Sequence, residues 1–153
     1  MDILLVEDNP SDAELTLLAL RRAAQDLSIV HVEDGVAAKT YLEHAIIKLR
    51  QGEMQALPKL MLLDLKLPKL DGLELLRLIK ANPDLAYVPV IIFTSSQEER
   101  DLVLAYQLGA NSYTVKPVNF DDLNTILGRI VQYWLHFNVR PLHLDSYLAS
   151  SGI

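Results

Sequence analysis

The sequence predicts a doubly wound α/β domain whose five-stranded parallel sheet has the order 2-1-3-4-5. Three observations lead there. Short apolar runs alternate five times with longer stretches of helical periodicity, the pattern of a parallel sheet with right-handed crossovers and helices on both faces. The runs also differ in polarity. Those from Ile3 to Val6, Leu60 to Leu63 and Val88 to Phe93 are apolar throughout, as strands buried on both faces must be, whereas Ile29 to Val32 and Asn111 to Val115 carry polar residues and suit the edges. Finally, 153 residues, 50% of them hydrophobic, suffice for one full core and little more. The order 2-1-3-4-5, the flavodoxin-like arrangement, puts the apolar runs inside and the polar ones outside.

Each element has its own punctuation. The first strand is closed by Glu7-Asp8. Asn9-Pro10 then opens a helix, with Asp12 in its first turn and Leu15, Leu18, Ala19 and Arg22 at helical spacing, fading near Gln25. The second strand is polar at His31. Asp34-Gly35 caps a second helix containing Ala38, Tyr41, Leu42, Ala45, Ile46 and Leu49. Arg50 to Lys59 is a long connection for such a unit. The third strand ends at Asp64, Pro68 and Asp71-Gly72 turn the chain, and Asp71 with Glu74 forms an N-cap pair for a helix that stops before Asn82-Pro83. The fourth strand is released at Thr94-Ser95-Ser96, where Ser96 and Glu99 predict a capping box for a helix closed by Gly109. The fifth strand ends at Lys116-Pro117, and Asn119 caps a last helix running to about His136. Receiving no helix of its own, the stretch 137–153 is expected to be a tail on a domain spanning 1–136, with no separate output domain.

Bulk properties exclude several classes. A net charge of −6 without a basic run argues against a nucleic-acid binder. The absence of cysteine removes disulfides, Cys-ligated zinc and thiol chemistry. No apolar run approaches a membrane span, so a soluble cytoplasmic protein is expected. The four histidines have no ligand spacing, and His31 reads as a plain strand side chain.

In this topology ligands bind beyond the carboxyl ends of the strands, which gathers Glu7, Asp8, Asp64, Thr94 and Lys116. Three carboxylates at about 5 Å separations would repel by about 3 kcal/mol per pair at an effective dielectric of ~20. A divalent cation removes that cost, and an all-oxygen donor set points to Mg²⁺. A carboxylate nucleophile, Mg²⁺, a lysine and a hydroxyl suit transfer of a phosphoryl group onto Asp64.

Here the chain resembles the receiver domains of two-component response regulators. The matching pieces are Val6-Glu7-Asp8-Asn9, Leu63 to Pro68 with Asp71-Gly72, Thr94-Ser95, Gly109-Ala110, Tyr113 and Lys116-Pro117, all in order at compatible spacing. The resemblance implies Asp64 as phosphoacceptor, and Glu7, Asp8 and the backbone carbonyl of Lys66 as further Mg²⁺ ligands. It also implies Thr94 as switch hydroxyl, Tyr113 as switch aromatic, Lys116 as phosphate-binding lysine, a cis Lys116–Pro117 bond, and a sensor histidine kinase as partner rather than turnover of a substrate. Leu67 departs from the methionine frequent before the proline. The long loop after the second helix, Pro83-Asp84-Leu85, Asn111-Ser112-Tyr113 and Tyr133-Trp134-Leu135 further resemble the single-domain regulators of bacterial and cyanobacterial phytochrome kinases. Two alternatives stand beside this. A haloacid dehalogenase-type phosphatase uses similar groups but wants a second aspartate where Lys66 stands. A receiver-like scaffold that is never phosphorylated would have no need of the intact acidic set.

The fourth helix, with Leu102, Val103, Leu104, Ala105, Tyr106 and Leu108, is apolar nearly all round, and the last carries a wide stripe from Leu123 to Trp134. Surplus apolar surface of this kind predicts a homodimer through the fourth helix, fifth strand and fifth helix. The competing occupant of that surface is the C-terminal tail.

Overall fold

Strict alternation along the three central strands builds two separate cores, one on each side of the sheet. In the computed structural model, which describes residues 1–141, the elements run β1 (Ile3–Val6), α1 (Pro10–Ala23), β2 (Ile29–Val32), α2 (Gly35–Arg50), β3 (Leu60–Leu63), α3 (Gly72–Ala81), β4 (Val90–Thr94), α4 (Glu99–Gln107), β5 (Ser112–Val115) and α5 (Phe120–Val131). The last helix continues as a π-helical turn over Gln132–Phe137. All strand pairings are parallel, in the order β2-β1-β3-β4-β5. Leu4, Val6, Met61, Leu63, Val90 and Ile92 face α2, α3 and α4; Ile3, Leu5, Leu60, Leu62, Ile91 and Phe93 face α1 and α5. Every residue of β1, β3 and β4 is buried, while β2 is half-buried throughout and β5 is half-buried except at its exposed end, Val115, as suits polar runs at the edges.

The helix starts follow their caps. The side chains of Asn9, Asp34, Asp71 and Asn119 accept from the N–H groups of Asp12, Ala37, Leu73 and Asp122. Gly109, at φ +100°, closes the α4 turn in a conformation that glycine adopts without strain. Gly72 permits a close approach: a Cβ there would lie 2.3 Å from the Asp64 carbonyl oxygen, so the start of α3 is packed directly onto the backbone that carries Asp64.

Four expectations change. The buried face of α1 is Ala13, Thr16, Ala19 and Leu20, while Leu15 and Leu18 point outward; a close α1–α5 crossing leaves room for small residues where leucines were expected. Ser96 does not cap α4. Its hydroxyl donates to Asp101 Oδ2 at 2.5 Å, and the helix starts after Glu98 with no side-chain cap. Glu74 does not complete the cap pair with Asp71 but turns forward to Arg77 at 2.6 Å. The apolar stripe of α5 is largely used at home: Leu123, Leu127 and Val131 are buried, and Ile126, Ile130 and Trp134 pack against the same core. What remains exposed near the β5 edge is Val103 and Tyr106 of α4 and Val115 of β5, with Tyr133 and Phe137 beyond α5. The tail residues from Leu142 onward lie outside the described residues. Among the described residues no helix is long and apolar enough to cross a membrane.

Candidate functional site

Adjacent strand ends turn residues distant in sequence into neighbours. β1 releases Glu7 and Asp8, β3 releases Asp64, β4 ends on Thr94 and β5 releases Lys116. The Lys116 backbone N–H donates to the Thr94 carbonyl at 2.8 Å, extending the β4–β5 pairing by one residue. From there the side chain reaches back over the sheet, and its Nζ donates to Asp64 Oδ2 at 2.9 Å, to Asp12 Oδ2 at 3.2 Å and to Glu7 Oε1. Neighbouring strands are about 4.8 Å apart, so a shorter cationic side chain starting from β5 would stop above β4.

Glu7, Asp64 and Thr94 are buried, whereas Asp8 is exposed. Asp64 Oδ1 accepts the Leu65 N–H at 2.7 Å. Burial pushes the Asp64 carboxyl up, but its hydrogen bond with Glu7, the charge and hydrogen bond of Lys116 and the Thr94 hydroxyl outweigh this and hold it below the usual aspartate range. Glu7 goes the other way. Burial, then the hydrogen bond with Asp64, push its carboxyl up to about 8 despite Lys116. The two neighbouring acids are thus pushed in opposite directions, Glu7 up and Asp64 down. Burial acts to lower the Lys116 ammonium, but its bond to Glu7 and the charge of Asp64 hold it above the ordinary lysine value.

One carboxylate oxygen from each of Glu7, Asp8 and Asp64 lies within 4.8 Å of the other two. Glu7 Oε2 is buried with no hydrogen-bond partner. A buried oxygen with unused lone pairs beside two further carboxylates fits a hard divalent cation. Among the described residues no backbone N–H donates to the Lys66 carbonyl.

The second tier connects Thr94 to β5. Thr94 Oγ1 accepts the Ser96 N–H at 3.3 Å, and the Tyr113 hydroxyl donates to the Ser96 carbonyl at 3.0 Å. The Tyr113 ring already packs against the core on the α4 side. Two corrections follow from this region. Every described peptide bond is trans, Lys116–Pro117 included, in place of the expected cis bond; trans is the default even for X-Pro, by about 0.5–1 kcal/mol. Asp12, read only as a first-turn acid, reaches Lys116; its position one helical turn after Asp8 was the available clue.

The family description "Response regulator receiver domain" matches residues 3–128. The chain belongs to that family. Membership of that family leaves the haloacid dehalogenase alternative without support, in keeping with Lys66 where that fold wants a second aspartate. It is 42% identical over 139 residues to Probable methanogenesis regulatory protein FilR2 of Methanothrix harundinacea, covering 91% of this chain and 86% of that one. It is 40% identical over 141 residues to response regulator Rcp1 of Synechocystis sp., covering 91% and 92%. The crystal structure of the Mn(2+)-bound form of Rcp1 superposes with a TM-score of 0.77 at 38% identity, covering 91% of this receiver and 97% of that chain. That of the phosphorylated cyanobacterial phytochrome response regulator RcpA gives 0.75, also at 38% identity, covering 92% and 97%.

The Glu7 proton has a measurable consequence. With a carboxyl raised from an ordinary 4.5 to about 8, the folded receiver holds more protons than the unfolded chain between those values. Its stability in EDTA therefore falls as pH rises through that window, and a divalent cation held by Glu7 would remove the slope by keeping the carboxyl ionised. Urea unfolding at several pH values, comparing the wild type with Glu7→Gln, should show this slope only in the wild type and only without metal.

Proposed function

We propose that this receiver accepts a phosphoryl group on Asp64 from a sensor histidine kinase, with Mg²⁺ held by Glu7, Asp8, Asp64 and the Lys66 carbonyl. The carrying observation is Asp64 itself: a buried carboxylate kept ionised, with Lys116 and Thr94 beside it. Mg²⁺ bound there would neutralise phosphoryl oxygens as charge develops on them. An oxygen of Asp64 attacks the phosphorus of the donor phosphohistidine, the new O–P bond forming as the P–N bond breaks. Lys116 exchanges its contact with Asp64 for a phosphoryl oxygen, and the Thr94 hydroxyl donates to another. This is a single acceptance rather than turnover of a substrate. The donor has to approach beside Lys116, where Leu15, Pro117, Val118 and Phe120 line a shallow groove and Leu15 and Val118 are exposed apolar contacts.

Drawing Thr94 toward the phosphoryl group displaces the Ser96 backbone, and with it the carbonyl that Tyr113 holds. The switch therefore works by re-seating an already packed Tyr113 against α4. The α4–β5 edge, with Val103, Tyr106 and Val115 exposed, is the surface so altered, and a homodimer through α4, β5 and α5 is its occupant. Similarity to Rcp1 and RcpA supports a phytochrome-type kinase as the donor. The working unit is 1–136, with 137–153 as a tail, acting in the cytoplasm.

Incubation with acetyl phosphate should add one base-labile phosphoryl group by mass, only with Mg²⁺, and none to Asp64→Asn. Equal uptake by that variant overturns the assignment. Light scattering should give a dimer for the full chain, weakened by Tyr106→Glu; monomers at high micromolar concentration with and without phosphodonor overturn the dimer.

A further inference from the structure

The β1–β2 ladder stops one bond short of the acidic pair. β1 pairs with β2 through its odd residues: the Ile3 N–H donates to the Ser28 carbonyl at 3.0 Å and the Glu7 N–H to the Val32 carbonyl at 3.1 Å. The next rung of a parallel ladder would bring the Asp34 N–H to the Glu7 carbonyl. That rung does not form: β2 ends at Val32, and the chain turns at Asp34, the N-cap of α2. Among the described residues no backbone N–H reaches the Glu7 carbonyl. Instead, His31 Nε2 lies 2.8 Å from it. A carbonyl only accepts, so Nε2 carries the hydrogen and donates. His31 pairs with Leu5 in the register, on the α1 side of the sheet, which lets its ring extend along the strand direction to the position of the missing rung.

We infer that His31 is a positioning residue for the metal site: its imidazole replaces the lost rung and fixes the plane of the Glu7–Asp8 peptide. The inference rests on the reading of Glu7, Asp8 and Asp64 as metal ligands. The Glu7 carbonyl and the Asp8 nitrogen belong to one rigid peptide unit, so fixing the carbonyl sets the direction in which Asp8 leaves the strand. Asp8 needs such a constraint. It is exposed, and among the described residues its carboxylate makes no hydrogen bond or ion pair. Glu7, by contrast, is held by Lys116 as well as by its own N–H. Without His31 the peptide can rotate, and the Asp8 carboxylate samples positions away from Glu7 and Asp64 before metal arrives.

The test compares His31→Gln, His31→Asn and His31→Phe with Asp8→Ala. The Gln amide nitrogen falls near the place of Nε2 and can donate to Glu7; the Asn nitrogen falls near Nδ1 and cannot reach; Phe keeps the ring without a donor. Calorimetric titration with Mg²⁺ should show affinity lowered about tenfold in His31→Asn and His31→Phe, the low end for outer-shell partners, and within about twofold of wild type in His31→Gln. The phosphorylation rate with acetyl phosphate should need correspondingly more Mg²⁺ for half-saturation while its plateau stays unchanged. In EDTA, the Asp8 amide resonance should move in Asn and Phe and return in Gln. Equal Mg²⁺ affinity in all three His31 variants, with Asp8→Ala defective, overturns the positioning role and leaves the metal site standing. Equal loss in all three, with Gln failing to rescue, reduces His31 to a general structural residue. Wild-type affinity in Asp8→Ala overturns the metal-site reading and this inference with it.

Discussion

Two acids buried side by side at the end of a sheet constrain everything around them. Glu7 and Asp64 leave adjacent central strands, and taking both charges out of water without compensation would cost several kcal/mol. Compensation comes from the Lys116 ammonium, which reaches both acids. With it in place the Glu7 carboxyl is pushed up and the Asp64 carboxyl is held down. The same constraint explains why the site wants a divalent cation. A cation there would be held by Glu7, Asp8 and Asp64 and would take up the Glu7 oxygen that has no hydrogen-bond partner. The contacts that make the burial of Asp64 tolerable are thus the ones that hold its carboxyl low.

Topology supplies the rest. Only with β3 next to β1, and β4 between β3 and β5, do Asp64, Thr94 and Lys116 arrive at one sheet edge in that order. The core fixes the geometry from beneath, since the residues just before the site, Val6, Leu63 and Phe93, are buried in one or other of the two cores. The more adaptable parts lie above: the β4–α4 connection, tied to β5 through Ser96 and Tyr113, and an α4 with a single fully buried residue, Ala105. Low burial is what lets such an element shift when the charge beneath it changes.

Much of this was legible in the sequence, for identifiable reasons. Polarity separated central strands from edge strands, and the flavodoxin-like order 2-1-3-4-5 is one that satisfies that division. Glu7, Asp64 and Thr94 stand at the ends of apolar runs, Asp8 one residue further on and Lys116 after the more polar fifth strand, so topology was sufficient to gather them. What escaped depends on distances that residue type does not encode. Leu15 and Leu18 carry the right periodicity for a core face, but the close approach of α1 to α5 selects Ala13, Thr16 and Ala19 instead. Ser96 has the sequence of a cap, yet Asp101 competes for its hydroxyl. Asp12 and His31 have no motif at all. Their contacts arise from the reach of Lys116 and from the rung missing after Val32.

The site depends on the coupling between Lys116 and the acids it compensates, and a double-mutant cycle between Lys116→Met and Asp64→Asn measures it most directly. Unfolding free energies in EDTA near neutral pH, for the wild type, both single variants and the double variant, give the interaction term. The predicted result is a favourable coupling of at least about 1 kcal/mol, with Asp64→Asn restoring stability in the Lys116→Met background because it removes an uncompensated buried charge. A coupling indistinguishable from zero would contradict it.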